Sequence, residues 1–182
     1  VINFWAGVGL RRDGARIALI TIDGVILSSR FFVEQIERYR EDKGIEAMVV
    51  RVDSPGGGVA PSQEIHQALR RFREAGKVLV TSMGSVAASG GLYVSLASTK
   101  IFANPGTITG SIGVIMEVGN VEDLLKKVGL RVEVVKSGVH KDLGSPVRSL
   151  SPEDRAILQQ VIDDAYDQFL RSISDGRKLP PE

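Results

Sequence analysis

Apolar residues along this chain follow two rhythms. Short runs at 17–27, 46–52 and 78–83 carry almost no polar alternation. That predicts strands in a sheet covered on both faces, the first interrupted near Gly24. Between them the period lengthens. Phe32, Val33, Ile36 and Tyr39 recur at helical spacing, so 31–40 predicts a helix, stopped by Lys43-Gly44. Pro61-Ser62 opens a second helix that runs to Ala75 and ends at Gly76. Helices are predicted over 87–97 and 121–128, the latter ended by Gly129, and strands over 100–103 and 131–136. Ser151-Pro152-Glu153-Asp154 opens a long helix to about Ser174, with proline in the first turn and acids at the positive end of the dipole. The alternation of strand and helix predicts an α/β fold with a largely parallel sheet and right-handed crossovers. Chemistry in such folds gathers in loops at the carboxyl ends of strands.

Composition narrows the function. At 182 residues, 43% hydrophobic and 25% charged, the chain has the balance of a folded domain. Its net charge is +1, and its densest basic run, Arg70-Arg71-Phe72-Arg73, falls on a predicted helix face. Nucleic acid is therefore not an expected partner. The absence of cysteine excludes disulfides, thiolate nucleophiles and cysteine-ligated metals. His66 and His140 are the two histidines, and neither has metal-site spacing, so no metal or other cofactor is expected. Residues 1–10 are nearly all apolar and precede Arg11-Arg12. They are shorter than the roughly 20 residues that cross a bilayer. The end of an anchor, an edge strand and an arbitrary boundary of the chain are all open readings.

Three loops carry candidate chemistry. Asp53-Ser54-Pro55-Gly56-Gly57-Gly58 follows the second strand. Consecutive glycines let a ligand approach main-chain N–H groups. A phosphate loop of the Walker or dinucleotide type is not matched; an oxyanion hole for acyl chemistry and a plain tight turn both fit. Gly84-Ser85-Val86-Ala87-Ala88-Ser89-Gly90-Gly91 follows the third strand and crowds small residues around Ser89 at a helix start. Ser89 reads either as a nucleophile or as a packed small residue, and the strict Gly-x-Ser-x-Gly elbow is absent. Lys136-Ser137-Gly138-Val139-His140-Lys141-Asp142 offers two bases, His140 and Lys141, with Asp142 as a possible orienting acid. The residues alone do not choose between them. His66 reads as an ordinary helix residue. Leu92, Val114 and Ile115 read equally as pocket lining or core.

Together with Thr109-Gly110-Ser111-Ile112-Gly113-Val114, these motifs resemble the bacterial signal peptide peptidase A family in its short, single-unit form. The resemblance runs from about Ile17 to the C-terminus. It implies a ClpP/crotonase-like fold and a Ser–Lys dyad, with Ser89 as nucleophile, Lys141 as base and Ser111 hydrogen-bonded to that base. The oxyanion hole would use the N–H groups of Gly57, in preference to Gly56, and Gly90. The implied substrates are signal peptides released in the membrane. The implied setting is a homo-oligomeric ring on the bacterial membrane, with the catalytic domain outside the cytoplasm and an N-terminal anchor absent from this chain. Residues 1–10 would be the end of that anchor or stalk, and 11–182 the catalytic domain. Family members continue past the long helix into a strand–helix segment, which this chain lacks. A lysine base must be neutral, so the resemblance also predicts an apolar setting for Lys141, beside Val114 and Val139, with Asp142 turned away. Rival readings are a related Ser–Lys peptidase for other membrane proteins, a crotonase-like acyl-CoA enzyme and a non-catalytic scaffold.

Overall fold

The computed structural model describes residues 5–12 and 15–179. The chain forms two compact units, Val1–Gly113 with Gln168–Glu182, and Val114–Asp167.

The first unit is built on a six-stranded sheet in the order β1 (Trp5–Arg12), β2 (Ala15–Asp23), β3 (Ile45–Ser54), β4 (Val78–Ala88) and β5 (Lys100–Phe102), with β6 (Ile108–Gly110) also pairing β4. β1 is antiparallel to β2, and every other pairing is parallel. Of the apolar segment 1–10, the part within β1 is thus an edge strand, while residues 1–4 lie outside the described residues. Three helices connect the strands: α1 (Arg30–Glu41), α2 (Val59–Glu74) and α3 (Gly90–Ser95). Their apolar stripes explain the docking. Phe32, Ile36 and Tyr39 of α1 and Ile65, Leu69 and Phe72 of α2 join Ile20, Ile22, Met48, Val50 and Val52 of the sheet in one buried core. Each such large side chain contributes about 1.5–3 kcal/mol on burial. β3 alternates buried and half-buried residues, so one face of the sheet is less fully covered than the unbroken apolar run predicts.

One boundary departs from expectation. β4 continues through Ala88, so the helix predicted over 87–97 begins only at Gly90. The cause is β6. Val86, Ala87 and Ala88 pair with Ile108, Thr109 and Gly110, and a three-residue strand leaves no periodic signature.

The second unit holds α4 (Glu122–Lys127) and the first part of α5 (Pro152–Arg177). Glu122 and Asp123 open α4, Lys126 and Lys127 close it, and Gly129 at φ +75° ends it as the sequence predicts. The strand predicted over 131–136 does not form, and each of its residues is exposed. Val132, Val134 and Val135 favour extended backbone, but among the described residues this unit has no other strand to receive their ladder. The last part of α5 belongs to the first unit. There Phe169 packs edge-on against Tyr93 at 5.1 Å, and Ser172 Oγ donates to the Tyr93 hydroxyl at 3.0 Å. No helix among the described residues is long and apolar enough to cross a membrane.

Candidate active site

Ser89 is the hinge between β4 and α3. Its backbone lies at φ 50°, ψ −119°, a region that costs a residue with a side chain about 1–3 kcal/mol. Local hydrogen bonds hold it there. Ser89 N–H donates to Gly110 O at 2.9 Å, and Ser89 O accepts the Tyr93 N–H at 2.9 Å. The reversal leaves Ser89 half-buried while Ala88 and Gly90 on either side are buried.

The glycine loop lies against this turn. Ile26 forms a parallel bridge with Gly57: Ile26 N–H donates to Gly56 O at 2.8 Å, and Gly58 N–H donates to Ile26 O at 2.9 Å. In such a bridge the flanking residues carry the bonds, so the N–H of Gly57 itself faces away from Ile26. Gly56 N–H is occupied, donating to Ser54 Oγ at 3.1 Å. Among the described residues, the N–H groups of Gly57 and Gly90 have no acceptor. Their loops are in contact. A Cβ placed on Gly56 would stand 2.7 Å from Gly90 N and 2.8 Å from Ser89 Cβ, and one on Gly90 would stand 3.3 Å from Gly57 N. A hydroxyl beside two unpartnered N–H donors is a constellation able to attack a carbonyl and hold the resulting oxyanion.

Three residues that sequence reasoning passed over build this arrangement. Asp53 accepts the Val86 N–H at 3.0 Å and lies against Gly84, where a Cβ would stand 2.3 Å from its carboxylate. Ser54, fully buried, caps Gly56, and its carbonyl lies 2.6 Å from where a Gly91 Cβ would be. Ser62 Oγ donates to Gly58 O at 2.8 Å and lies 2.5 Å from a Cβ on Gly90. Their signal was their place within, or one helical turn beyond, a motif read mainly for its glycines.

Ser111 follows β6 directly and also has positive φ, +52°. Ala88 pairs with Gly110, so Ser89 and Ser111 are neighbours across the strand ends. Leu92 packs on the core, whereas Ile115 is 85% exposed. His66 is buried in α2 with its ring 4.9 Å from Tyr93. Burial, then the positive Arg70 and Arg73, push its pKa down to about 4, so it is neutral and structural at pH 7.

Lys141 belongs to the second unit and is exposed. Val139, expected to help desolvate it, is 76% exposed, which does not match an apolar setting within this unit. Both neighbouring side chains are committed. The Asp142 carboxylate accepts two bonds from Arg148, each 2.9 Å, and one from Lys136 at 2.7 Å. These cations hold it well below the usual carboxylate range. His140 Nδ1 lies 2.9 Å from Asp154 Oδ1. Arg148, and then His140, likewise hold buried Asp154 well below its ordinary value. Among the described residues no acidic or histidine cluster is arranged to hold a metal ion.

Comparison with known proteins supplies the family. The model of peptidase family S49 matches residues 71–182. A candidate protease of Synechocystis sp. is 47% identical over 92% of this chain and 60% of its own length. A candidate signal peptide peptidase SppA of Enterococcus faecium is 38% identical over 81% of the chain and 43% of its own length. Protease 4 of Salmonella typhi is 36% identical over 93% and 29% respectively. The chain thus spans about three-tenths to three-fifths of the length of these relatives. Its α/β architecture with a largely parallel sheet is of the ClpP/crotonase-like class expected from the motifs. The match of a family model across most of the chain, beside relatives named as proteases, identifies this protein as a member of peptidase family S49.

Proposed function

We propose that this chain is the catalytic region of a serine endopeptidase with Ser89 as nucleophile and Lys141 as general base, acting on signal peptides released in the membrane. The observation that carries the reading is the close approach of the glycine loop to the strained Ser89–Gly90 turn, with the N–H groups of Gly57 and Gly90 both unpartnered among the described residues. In the proposed reaction Ser89 Oγ attacks the peptide carbonyl carbon while the lysine amine takes the hydroxyl proton. The carbonyl oxygen gains charge against the two N–H groups. The C–N bond then breaks, and the lysine returns its proton to the departing amine. Water, deprotonated by the same amine, hydrolyses the acyl-serine. Ser111 orients the neutral amine. The names of the Enterococcus and Salmonella relatives support the protease reading, and the former supports the substrate class. The substrates are extended, mostly apolar peptides.

The protein works as a homo-oligomer at the membrane, with its catalytic region outside the cytoplasm. Support for the homo-oligomer comes from the second unit, where Ile115, Leu124, Val128, Leu130, Val135 and Val139 are all exposed. So apolar a surface on one small unit is what a second copy would cover.

His140 with Asp154 makes a second reading specific. A histidine whose Nδ1 is held by a buried carboxylate is the orienting half of a Ser–His–Asp triad. Fluorophosphonate labelling of wild type, Ser89→Ala, Lys141→Ala and His140→Ala tests both. The dyad requires that the first two substitutions abolish labelling and that His140→Ala keeps most of it. Loss confined to Ser89→Ala and His140→Ala would overturn the dyad in favour of the triad.

A further inference from the structure

Asp154 is the most deeply buried carboxylate among the described residues of the second unit, its side chain 2% exposed, and every contact it makes runs toward one loop or one helix start. Asp154 Oδ2 accepts from Ser151 N–H at 3.2 Å, and Ser151 Oγ accepts from Asp154 N–H at 3.0 Å. This reciprocal pair caps α5. The same Oδ2 accepts Arg148 Nη1 at 2.5 Å, and Oδ1 bonds His140. Arg148 in turn grips Asp142 with two bonds, and Lys136 closes the loop from the other side by donating to Asp142 Oδ1 and to Val139 O, each at 2.7 Å.

Residues 140 and 142 are therefore both tied, through Arg148 and Asp154, to the rigid start of a 26-residue helix. Lys141 stands between them. The charges balance: Lys136 and Arg148 against Asp142 and Asp154. Glu153 also lies near His140 and Asp154. Glu122 of α4 is engaged with Lys126 and Ser149 instead.

We infer that Arg148 and Asp154 are positioning residues, which clamp the 136–142 loop so that Lys141 is presented in one place and the Asp142 carboxylate is kept occupied. The inference rests on the proposed role of Lys141 as base. Neither residue touches substrate. Arg148 acts in two ways. It fixes the loop, and together with Lys136 it occupies a carboxylate that, less fully engaged, would bind and stabilise a neighbouring ammonium and oppose its neutral form. Lysine at 148 keeps the charge but cannot reproduce the fork that spans both Asp142 oxygens while also reaching Asp154.

The test compares wild type, Arg148→Met, Arg148→Lys and Lys141→Ala. Three quantities are read: thermal midpoint, amide hydrogen exchange over residues 138–145, and the fluorophosphonate labelling rate from pH 6 to 10. In Arg148→Met the loop amides should exchange faster, and labelling at pH 7 should fall about tenfold, the equivalent of a one-unit displacement of the profile to higher pH. Labelling should recover as pH rises, and Arg148→Lys should lie between. A lowered midpoint with unchanged loop exchange and an unmoved profile would overturn the clamp and leave Arg148 purely structural. If Arg148→Met does not fold, Arg148→Lys carries the same readouts. Wild-type labelling in Lys141→Ala would reject the base assignment instead. Loss of labelling there, with an unmoved profile in Arg148→Met and Arg148→Lys, would reject the clamp alone.

Discussion

Ser89 invites a perturbation that separates stability from chemistry. Its φ of 50° with ψ −119° belongs to a region that glycine enters freely and alanine does not. The strain at such a position is about 1–3 kcal/mol. Ser89→Ala removes the hydroxyl and keeps the strain. Ser89→Gly removes both, but gives the unfolded chain more freedom, which costs about 0.4–1 kcal/mol. The difference leaves Ser89→Gly more stable than Ser89→Ala by about 1 kcal/mol, with limits of about zero and 2.6 from the ranges just given. For a chain of this length that corresponds to a midpoint higher by about 2–4 °C. Urea and thermal unfolding of both variants measure it, with labelling and peptide cleavage run alongside. Both should be inactive and folded. At an ordinary position Ala→Gly destabilises, so a Ser89→Gly protein about 0.5–1 kcal/mol less stable than Ser89→Ala would refute the strain at this turn.

Other outcomes follow from the same geometry. A Cβ on Gly57 would stand 2.2 Å from Ile26 O, so Gly57→Ala must break the bridge, at a cost of about 2 kcal/mol or more, and should abolish labelling; Gly106→Ala, facing open space, is the near-neutral control in the same assays. His66 titrates near 4 when folded and near 6.5 when unfolded. Its neutral form therefore favours the native state fully above pH 6.5, and this stability drains away as pH falls from 6.5 to 4, about 3 kcal/mol in all; urea titrations should show His66→Phe losing less over that window. Digestion of unfolded apolar peptides should greatly outpace that of a tightly folded protein, and a strict requirement for a charged residue before the scissile bond would contradict the proposed substrate class.

How far the sequence carried depended on the kind of signal. α1 was legible because Phe32, Ile36 and Tyr39 repeat at the spacing that packing demands, and α2 because Pro61-Ser62 marks its start and Gly76 its end. β3 was legible as an apolar run. β6 was not, because three residues carry no period, and its absence misplaced the start of α3 by three residues. Residues 131–136 erred the other way: valine-rich sequence expresses a preference for extended backbone, but a strand exists only when a neighbour accepts its hydrogen bonds. The glycine loop and Ser89 were found by composition. The orientation that makes them a site, with Gly56 N–H spent on Ser54 and Gly57 N–H left open, depends on the bridge to Ile26, over thirty residues upstream. The ties of His140 to Asp154 and of Asp142 to Arg148 were likewise invisible to spacing, since loop partners show no periodicity.

The two halves of the proposed dyad differ in how ready they are. The serine half is assembled by backbone contacts within one unit and needs little rearrangement to receive an oxyanion. The lysine half is exposed, next to a Val139 that is itself mostly in water. An ordinary lysine titrates near 10.4, so making one neutral at pH 7 costs about 4.6 kcal/mol, more than a thousandfold in rate. Burial is the means of lowering that cost, because it disfavours the ammonium. Within the second unit, Lys136 and Arg148 are both spent on carboxylates, so the burial has to be supplied by something that covers this surface. A second copy laid on the exposed apolar residues would supply it together with their own desolvation. Labelling per chain should then rise with protein concentration, in step with the mass measured by light scattering, and dilution should reverse both. A rate per chain that stays constant while light scattering reports dissociation to a monomer would refute this, and would assign the burial to the bound peptide alone.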